Sequence, residues 1–390
     1  MKNLFDFSFF EWMIILHTAI LFIAYMVCLS IAYLAPIRAY RKRSKETPSK
    51  ETPPISIILY TQNEPELLKV LLSELLSQNY PTYQVIVIDD SPTAKTKELI
   101  ATYALPENRL YYTFVPKTAR FVSRKKLGLT MGIKAAKYNK LLFTDTKVTI
   151  DTDRWIYSMA IHFHQGKDIV LGCCSYHHND SFFHRLAAYE NLISTSLYAS
   201  ASLLGKPFKG VGSNLAYSKK IFFQNKGFNK LIAFTSGEDD LLINAVATAD
   251  NTTLTISPES ILSKKPYLSS KDFKKSLVKR LGTRNHYKGV FPTFLKIKIL
   301  VSTLFFPCLY LTFLIGLSTN FKLAVLAFVC WSIRLLYKYY LFNYLAKIFK
   351  QYPIGFDLLV LEIIWPLYLY SIKLLRLIKG TNDFIFRLDK

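Results

Sequence analysis

An α/β fold, built on a mixed and mostly parallel sheet flanked by transmembrane helices, is predicted by three observations. Short apolar, β-branched runs alternate with segments of helical periodicity from Ile55 onward, the pattern of a Rossmann-like sheet. Two of those runs stop abruptly on carboxylates, at Asp89-Asp90 and at Asp145. Buried strands deliver acidic side chains in this way to the rim where α/β proteins bind ligands. Long uncharged apolar stretches lie on both sides of this region.

The first stretch, Trp12 to Ile37, holds no charge and is long enough to cross a hydrocarbon core of ~30 Å as a helix. A signal peptide would place its basic flank first; here Arg38, Arg41, Lys42, Arg43 and Lys45 follow. By the positive-inside rule the chain after residue 38 begins in the cytoplasm, so 1–37 reads as an anchor and 38–54 as a basic linker.

Ile55–Tyr60 reads as a strand, Pro65–Gln78 as a helix with Leu68, Leu71, Leu72, Leu75 and Leu76 on one side, and Gln84–Ile88 as a second strand. A helix near 93–103, a strand near 110–115 and a helix near 125–137 lead into the strand from Lys140 that ends on Asp145. Beyond it, 155–165 and 182–204 read as helices and 168–172 as a strand. Gly210–Tyr217 reads as a glycine-hinged loop entering a strand. Glu238-Asp239-Asp240 opens a helix, where carboxylates suit the positive end of the dipole.

A basic stretch, 271–288, precedes the C-terminal membrane region, 289–390. There Ile299–Phe321 is a clear span. Leu323–Phe342 reads as a second, weaker span because it carries Arg334 and Lys338 one turn apart, and Leu358–Ile372, with Glu362 and Pro366, as a third span, a re-entrant helix or an interfacial one.

A formal net charge of +23, from 50 Lys+Arg against 27 Asp+Glu, combined with 51% hydrophobic residues points to a membrane surface and an anionic ligand. Nucleic acid is excluded as the partner because a soluble binder would not carry such apolar runs. The five cysteines show no metal-like spacing, and three lie in apolar segments, which favours a reducing compartment.

With these residues in view, 55–288 resembles a membrane-associated family 2 glycosyltransferase of the GT-A fold. Ser56–Glu64 is similar to that family's opening strand with Asn63-Glu64, and Val85–Ser91 to its nucleotide-binding strand. Arg124-Lys125-Lys126 with Gly132–Ala136 resembles the basic segment before the metal motif, and Phe143–Lys147 sits where the family has Asp-x-Asp. Gly212–Tyr217 resembles the acceptor-side loop, and Ser236–Leu241 the acidic motif that holds the catalytic base.

The resemblance implies inverting transfer of a sugar from a nucleotide-diphosphate donor to a lipid-linked or glycan acceptor, with membrane lipids as the other partner. Asp239 is the first choice as base, Glu238 the next, and Asp240 the third member of the cluster. Asn63, Glu64, Asp89, Asp90, Lys125, Lys126, Asp145, Asn214, Lys279 and Arg280 are the expected donor-binding residues. Asp145 is the expected ligand of a divalent cation, Mg²⁺ or Mn²⁺.

Two departures stand out. Lys147 replaces the second acid of Asp-x-Asp. Either Asp145 still binds the cation together with diphosphate oxygens, or Lys147 itself neutralises the diphosphate, or the site is silent. The Gln-x-x-Arg-Trp motif of processive relatives is missing near 279–286, which argues against a polymer-extruding synthase. The expected protein is a multi-pass enzyme of the inner (cytoplasmic) membrane with its catalytic domain in the cytoplasm. The rivals are a silent glycosyltransferase-like scaffold and a membrane nucleotidyltransferase.

Overall fold

The computed structural model describes residues 7–42, 52–90, 92–104, 109–116, 118, 123–164, 166–179, 181–267 and 269–379. Ser91, Gln165 and the linker residues 43–51 lie outside them. The sheet is mixed, as expected. Strands β1 (Ile55–Thr61), β2 (Tyr83–Asp89), β3 (Leu110–Phe114) and β4 (Lys140–Asp145) are parallel, in the order β3-β2-β1-β4. Their register places Thr61 beside Asp89 and Tyr60 beside Asp145, so the acid-bearing ends finish on one edge.

The sheet continues through β8 (Leu215–Ser218), β6 (Ile169–Leu171) and β9 (Thr252–Leu254) to a total of seven strands. β8 is antiparallel to β4, which brings the loop before Leu215 back to the same edge. A separate three-stranded sheet, β5 (Val148–Thr149), β10 (Leu262–Lys264) and β7 (Cys174–Tyr176), was not legible in the sequence. It secures the chain immediately after the β4 carboxylate.

Both faces of the sheet are covered, which is why its strands read as continuous apolar runs rather than alternating ones. Ile57, Leu59, Val85, Val87 and Leu142 pack under α2 (Pro65–Leu76), α3 (Ala94–Ala104) and α5 (Trp155–His164). Ile58, Ile86, Ile88, Leu141 and Phe143 face the other way, toward α4 (Arg124–Ala135). That second core runs on without a break through α6 (Phe182–Leu203) into the ends of the apolar helices. Helices α7 (Lys219–Gln224), α8 (Asp240–Val246) and α9 (Ser270–Arg284) complete the domain.

Two helices among the described residues, α1 (Phe9–Lys42) and α10 (Val290–Ser318), are long and apolar enough to cross a membrane. The predicted linker does not begin at residue 38, because α1 runs unbroken through Arg38 to Lys42. α11 (Phe321–Ile348) pairs with α10 as a hairpin. A Cβ on Gly316 would lie 2.2 Å from the backbone nitrogen of Ala324, so the turn tolerates only glycine there. Thr18 and Thr312 hydroxyls meet at 2.8 Å, and Arg41 donates to Tyr340 OH at 2.8 Å. Hence α1 lies antiparallel to α10 and alongside α11, with the basic ends of all three next to the domain.

The last segment, α12 (Asp357–Lys379), is amphipathic and stands outside the two span-like helices. Ile363, Leu367, Tyr370 and Leu374 form an exposed apolar stripe, while Leu358, Leu361 and Ile372 are buried. Glu362 reaches back to Arg334 by two hydrogen bonds of 2.7 Å and to Lys338 at 2.8 Å. The two cations that weakened α11 as a span are thereby paired, and Lys338 also reaches Tyr189 of α6 at 3.3 Å. The described cysteines are free thiols.

Candidate active site

The common edge gathers the ends of β1, β2 and β4, the N-terminus of α4, the 210–214 loop and the turn before α8. After β1 the chain turns through Asn63, whose φ of 52° is a left-handed conformation that asparagine tolerates. The turn brings Glu64 across to the end of β4. There Glu64 accepts a hydrogen bond from the Thr146 hydroxyl and pairs with Lys147 at 3.3 Å.

Successive residues of the glycine-hinged loop hold the two central carboxylates. Gly212 donates its N–H to Asp239 Oδ2 at 2.7 Å, and the Ser213 hydroxyl donates to Asp145 Oδ2 at 2.5 Å. A Cβ on Gly212 would lie 3.1 Å from that Asp239 oxygen, so a side chain there would push the carboxylate away. Ser213 was not singled out in the sequence, although it lies inside the loop motif.

The structure separates the three acids of the 238–240 cluster by environment. Asp240 is buried, and its Oδ2 accepts from Thr283 at 2.6 Å and from Tyr287 at 2.5 Å. It clamps α8 to α9 and is withdrawn from the candidate bases. Glu238 pairs with Lys125 at 2.7 Å. Burial pushes its carboxyl up, but the Lys125 ammonium outweighs this and holds it below the usual range.

Asp239 accepts from Gly212 and from the Asp240 N–H at 2.8 Å. Burial, then the adjacent Asp240 and Glu238 carboxylates, push it up to about 6. Burial alone would lower Lys125, but Glu238, Asp239 and Asp145 more than offset it, and its ammonium is held above the ordinary range.

Several expected ligand-binding side chains are instead committed to the protein. Asp90 is 3% exposed; one oxygen accepts from Tyr60 OH at 2.6 Å and the other from Arg124 Nε at 2.6 Å. Asp89 is fully buried, with Tyr112 OH 3.3 Å from it. Asn214 is fully buried and bridges Trp155 to the carbonyls of Cys173 and Ser260. Arg280 pairs with Glu190 at 2.5 Å.

Lys126 donates to the carbonyls of Leu231 at 2.7 Å, Ser236 at 2.9 Å and Phe234. Burial lowers its pKa to about 8. These partners lie about a hundred residues away in sequence, and no periodicity signals them. Lys126→Met strands the carbonyls that shape the 231–236 approach to the acidic turn. We expect it to cost about 1–3 kcal/mol, read as a lowered thermal midpoint.

The expected cation finds a poor set of donors. Asp145 is one carboxylate whose Oδ1 also accepts the Lys147 N–H at 2.9 Å. The position that should supply a second acid carries an ammonium, which cannot ligate a divalent ion and repels one at close range. Asp151, downstream, is bonded to Ser263 at 3.0 Å. Among the described residues no group of three or more His, Cys, Asp or Glu gathers to hold a metal. The residues present do not fit a resident divalent cation.

A family model described as glycosyl transferase family 2 matches residues 56–223, which takes in β1 through β8 and the loop joining Asp145 to Asp239. Residues 56–223 belong to glycosyl transferase family 2. Among curated proteins, this chain is 35% identical over 104 residues to a poly-beta-1,6-N-acetyl-D-glucosamine synthase of Staphylococcus epidermidis, covering 26% of this chain and 24% of the relative. The synthase of Staphylococcus aureus strain COL is 29% identical over 113 residues, covering 29% and 26%. The aligned region thus spans about a quarter of these relatives' length.

Among solved structures, a mannosyltransferase from Pyrobaculum calidifontis, in complex with GDP-Man and Mn²⁺, superposes with a TM-score of 0.51 at 16% identity. The match covers 84% of this chain and 97% of that one, and it establishes the fold as GT-A-like.

Proposed function

We infer that this chain is an inverting glycosyltransferase working at the cytoplasmic face of a membrane. The reading rests on one observation above the rest: adjacent residues, Gly212 and Ser213, hold an acceptor-side carboxylate, Asp239, and a donor-side carboxylate, Asp145. In the proposed reaction, Asp239 takes the proton from an acceptor hydroxyl. The hydroxyl oxygen bonds to the anomeric carbon as the bond to the diphosphate breaks on the opposite side, and a nucleoside diphosphate leaves. The donor is a nucleotide-sugar and the acceptor a lipid-linked or growing glycan. The basic ends of α1, α10 and α11 beside the domain support the cytoplasmic placement.

The test is nucleoside diphosphate release by the full chain in membranes, assayed across a panel of nucleotide-sugars. Pyrophosphate release would favour a nucleotidyltransferase; a chain that turns over no donor would favour the silent scaffold.

The pH profile follows from Asp239. A base works ionised, so kcat/KM rises with pH through about 6, the value set by burial and like charge. Glu238→Gln removes one like charge and frees Lys125 to act on Asp239, so the acid limb moves to lower pH. A Glu238→Gln enzyme with no turnover would make Glu238 the base instead.

A further inference from the structure

Lys147 stands where relatives of this fold would place a second metal-binding acid, and its position is built rather than incidental. Its N–H donates to Asp145 Oδ1, and its carbonyl accepts from the Lys265 N–H at 2.8 Å. The antiparallel pairing of Val148 and Thr149 with Lys264 and Ser263 holds the next two residues. From this fixed backbone the side chain extends, 70% exposed, to Glu64 at 3.3 Å.

Two further ammonium groups converge on the same edge. Lys125 enters from the N-terminus of α4 and pairs with Glu238. Lys279 approaches from α9, exposed, within electrostatic reach of Lys125, Lys147 and Glu238. Arg124 is committed to Asp90 and Arg280 to Glu190, whereas Lys147, Lys125 and Lys279 bring ammonium groups to this edge.

We propose that this chain holds the donor diphosphate with the ammonium groups of Lys147, Lys125 and Lys279 and needs no divalent cation. The proposal rests on the glycosyl transfer inferred above. As the anomeric carbon–oxygen bond breaks, its electron pair stays on the diphosphate oxygen, which gains one negative charge. The acceptor's proton goes to Asp239, and the lysines keep theirs. Lys147 leaves Glu64 for the phosphate oxygens, exchanging one anionic partner for a more highly charged one.

Nucleoside diphosphate binding tests this apart from turnover. UDP and GDP are titrated calorimetrically into the full-length protein in detergent, first with EDTA and then with Mn²⁺. The expected result is binding in EDTA that Mn²⁺ changes little. Lys147→Ala weakens the EDTA affinity by about ten- to a hundredfold, while the exposed position leaves the thermal midpoint unchanged. Lys147→Asp loses metal-free binding and regains it with Mn²⁺. Wild-type binding that appears only with Mn²⁺, or a Lys147→Ala affinity equal to wild type in EDTA, overturns the proposal and leaves glycosyl transfer standing. No binding of either nucleotide under any condition overturns both.

Discussion

Asp239→Asn lowers sugar transfer by about 10²–10⁴-fold, the usual contribution of a positioned general base, and leaves nucleoside diphosphate affinity within about twofold of wild type, since no hydrogen bond to a charged partner is lost on the donor side. The amide keeps the shape of the carboxylate and still accepts the Gly212 N–H through its oxygen. What it lacks is the capacity to take a proton, together with the second acceptor that now meets the Asp240 N–H. Asp240→Asn provides the contrast. Asp240 holds the Thr283 and Tyr287 hydroxyls, so its loss is read first in the melting curve and only secondarily in rate. Equal losses of rate with equal losses of stability in the two variants would remove the distinction drawn between them.

The second large effect lies away from the chemistry. Glu362→Ala leaves Arg334 and Lys338 buried among the apolar helices without their shared carboxylate. Removing one partner of a buried charge network costs about 3–5 kcal/mol. Because Lys338 also touches Tyr189 of α6, the damage reaches the seating of the catalytic domain.

The variant should therefore extract from membranes with a lower thermal midpoint and an α12 open to protease. Replacing all three charges with apolar residues of similar size, Glu362→Leu with Arg334→Met and Lys338→Met, should recover most of the loss, since a buried ion network and a packed apolar cluster are often close in stability. A triple variant no more stable than Glu362→Ala would mean that the charges do more than satisfy one another.

The legible parts of the sequence were those with a local signature. The runs of β1, β2 and β4 announce themselves by composition, and their acid ends by where the apolar run stops. The small β5–β10–β7 sheet carries no such pattern, because strands of two and three residues are too short for a period to show. Lys126, Asn214 and Arg280 sit within motifs that pointed to a ligand, yet each is bound to protein groups far away in sequence. Residue type identified them as polar and important; only the fold shows that the partner is the protein. Glu362 was visible as a blemish in an apolar segment, and Arg334 and Lys338 as blemishes in another. Their pairing became visible only when α11 and α12 were placed together.

Lys147 is the case in which the sequence posed the question and geometry narrowed the answers. The substitution alone left a weakened metal site, a cationic substitute and a silent site open. A held backbone, a single preoccupied carboxylate at Asp145 and two more lysines on the same edge favour the cationic substitute.

The most direct measurement is nucleoside diphosphate release by membranes carrying wild type and Asp239→Asn, assayed side by side over a nucleotide-sugar panel from pH 5 to 8. Release by wild type is expected with at least one donor, rising through pH about 6, and nearly none by the variant at any pH. Release by Asp239→Asn at the wild-type rate would contradict Asp239 as the base.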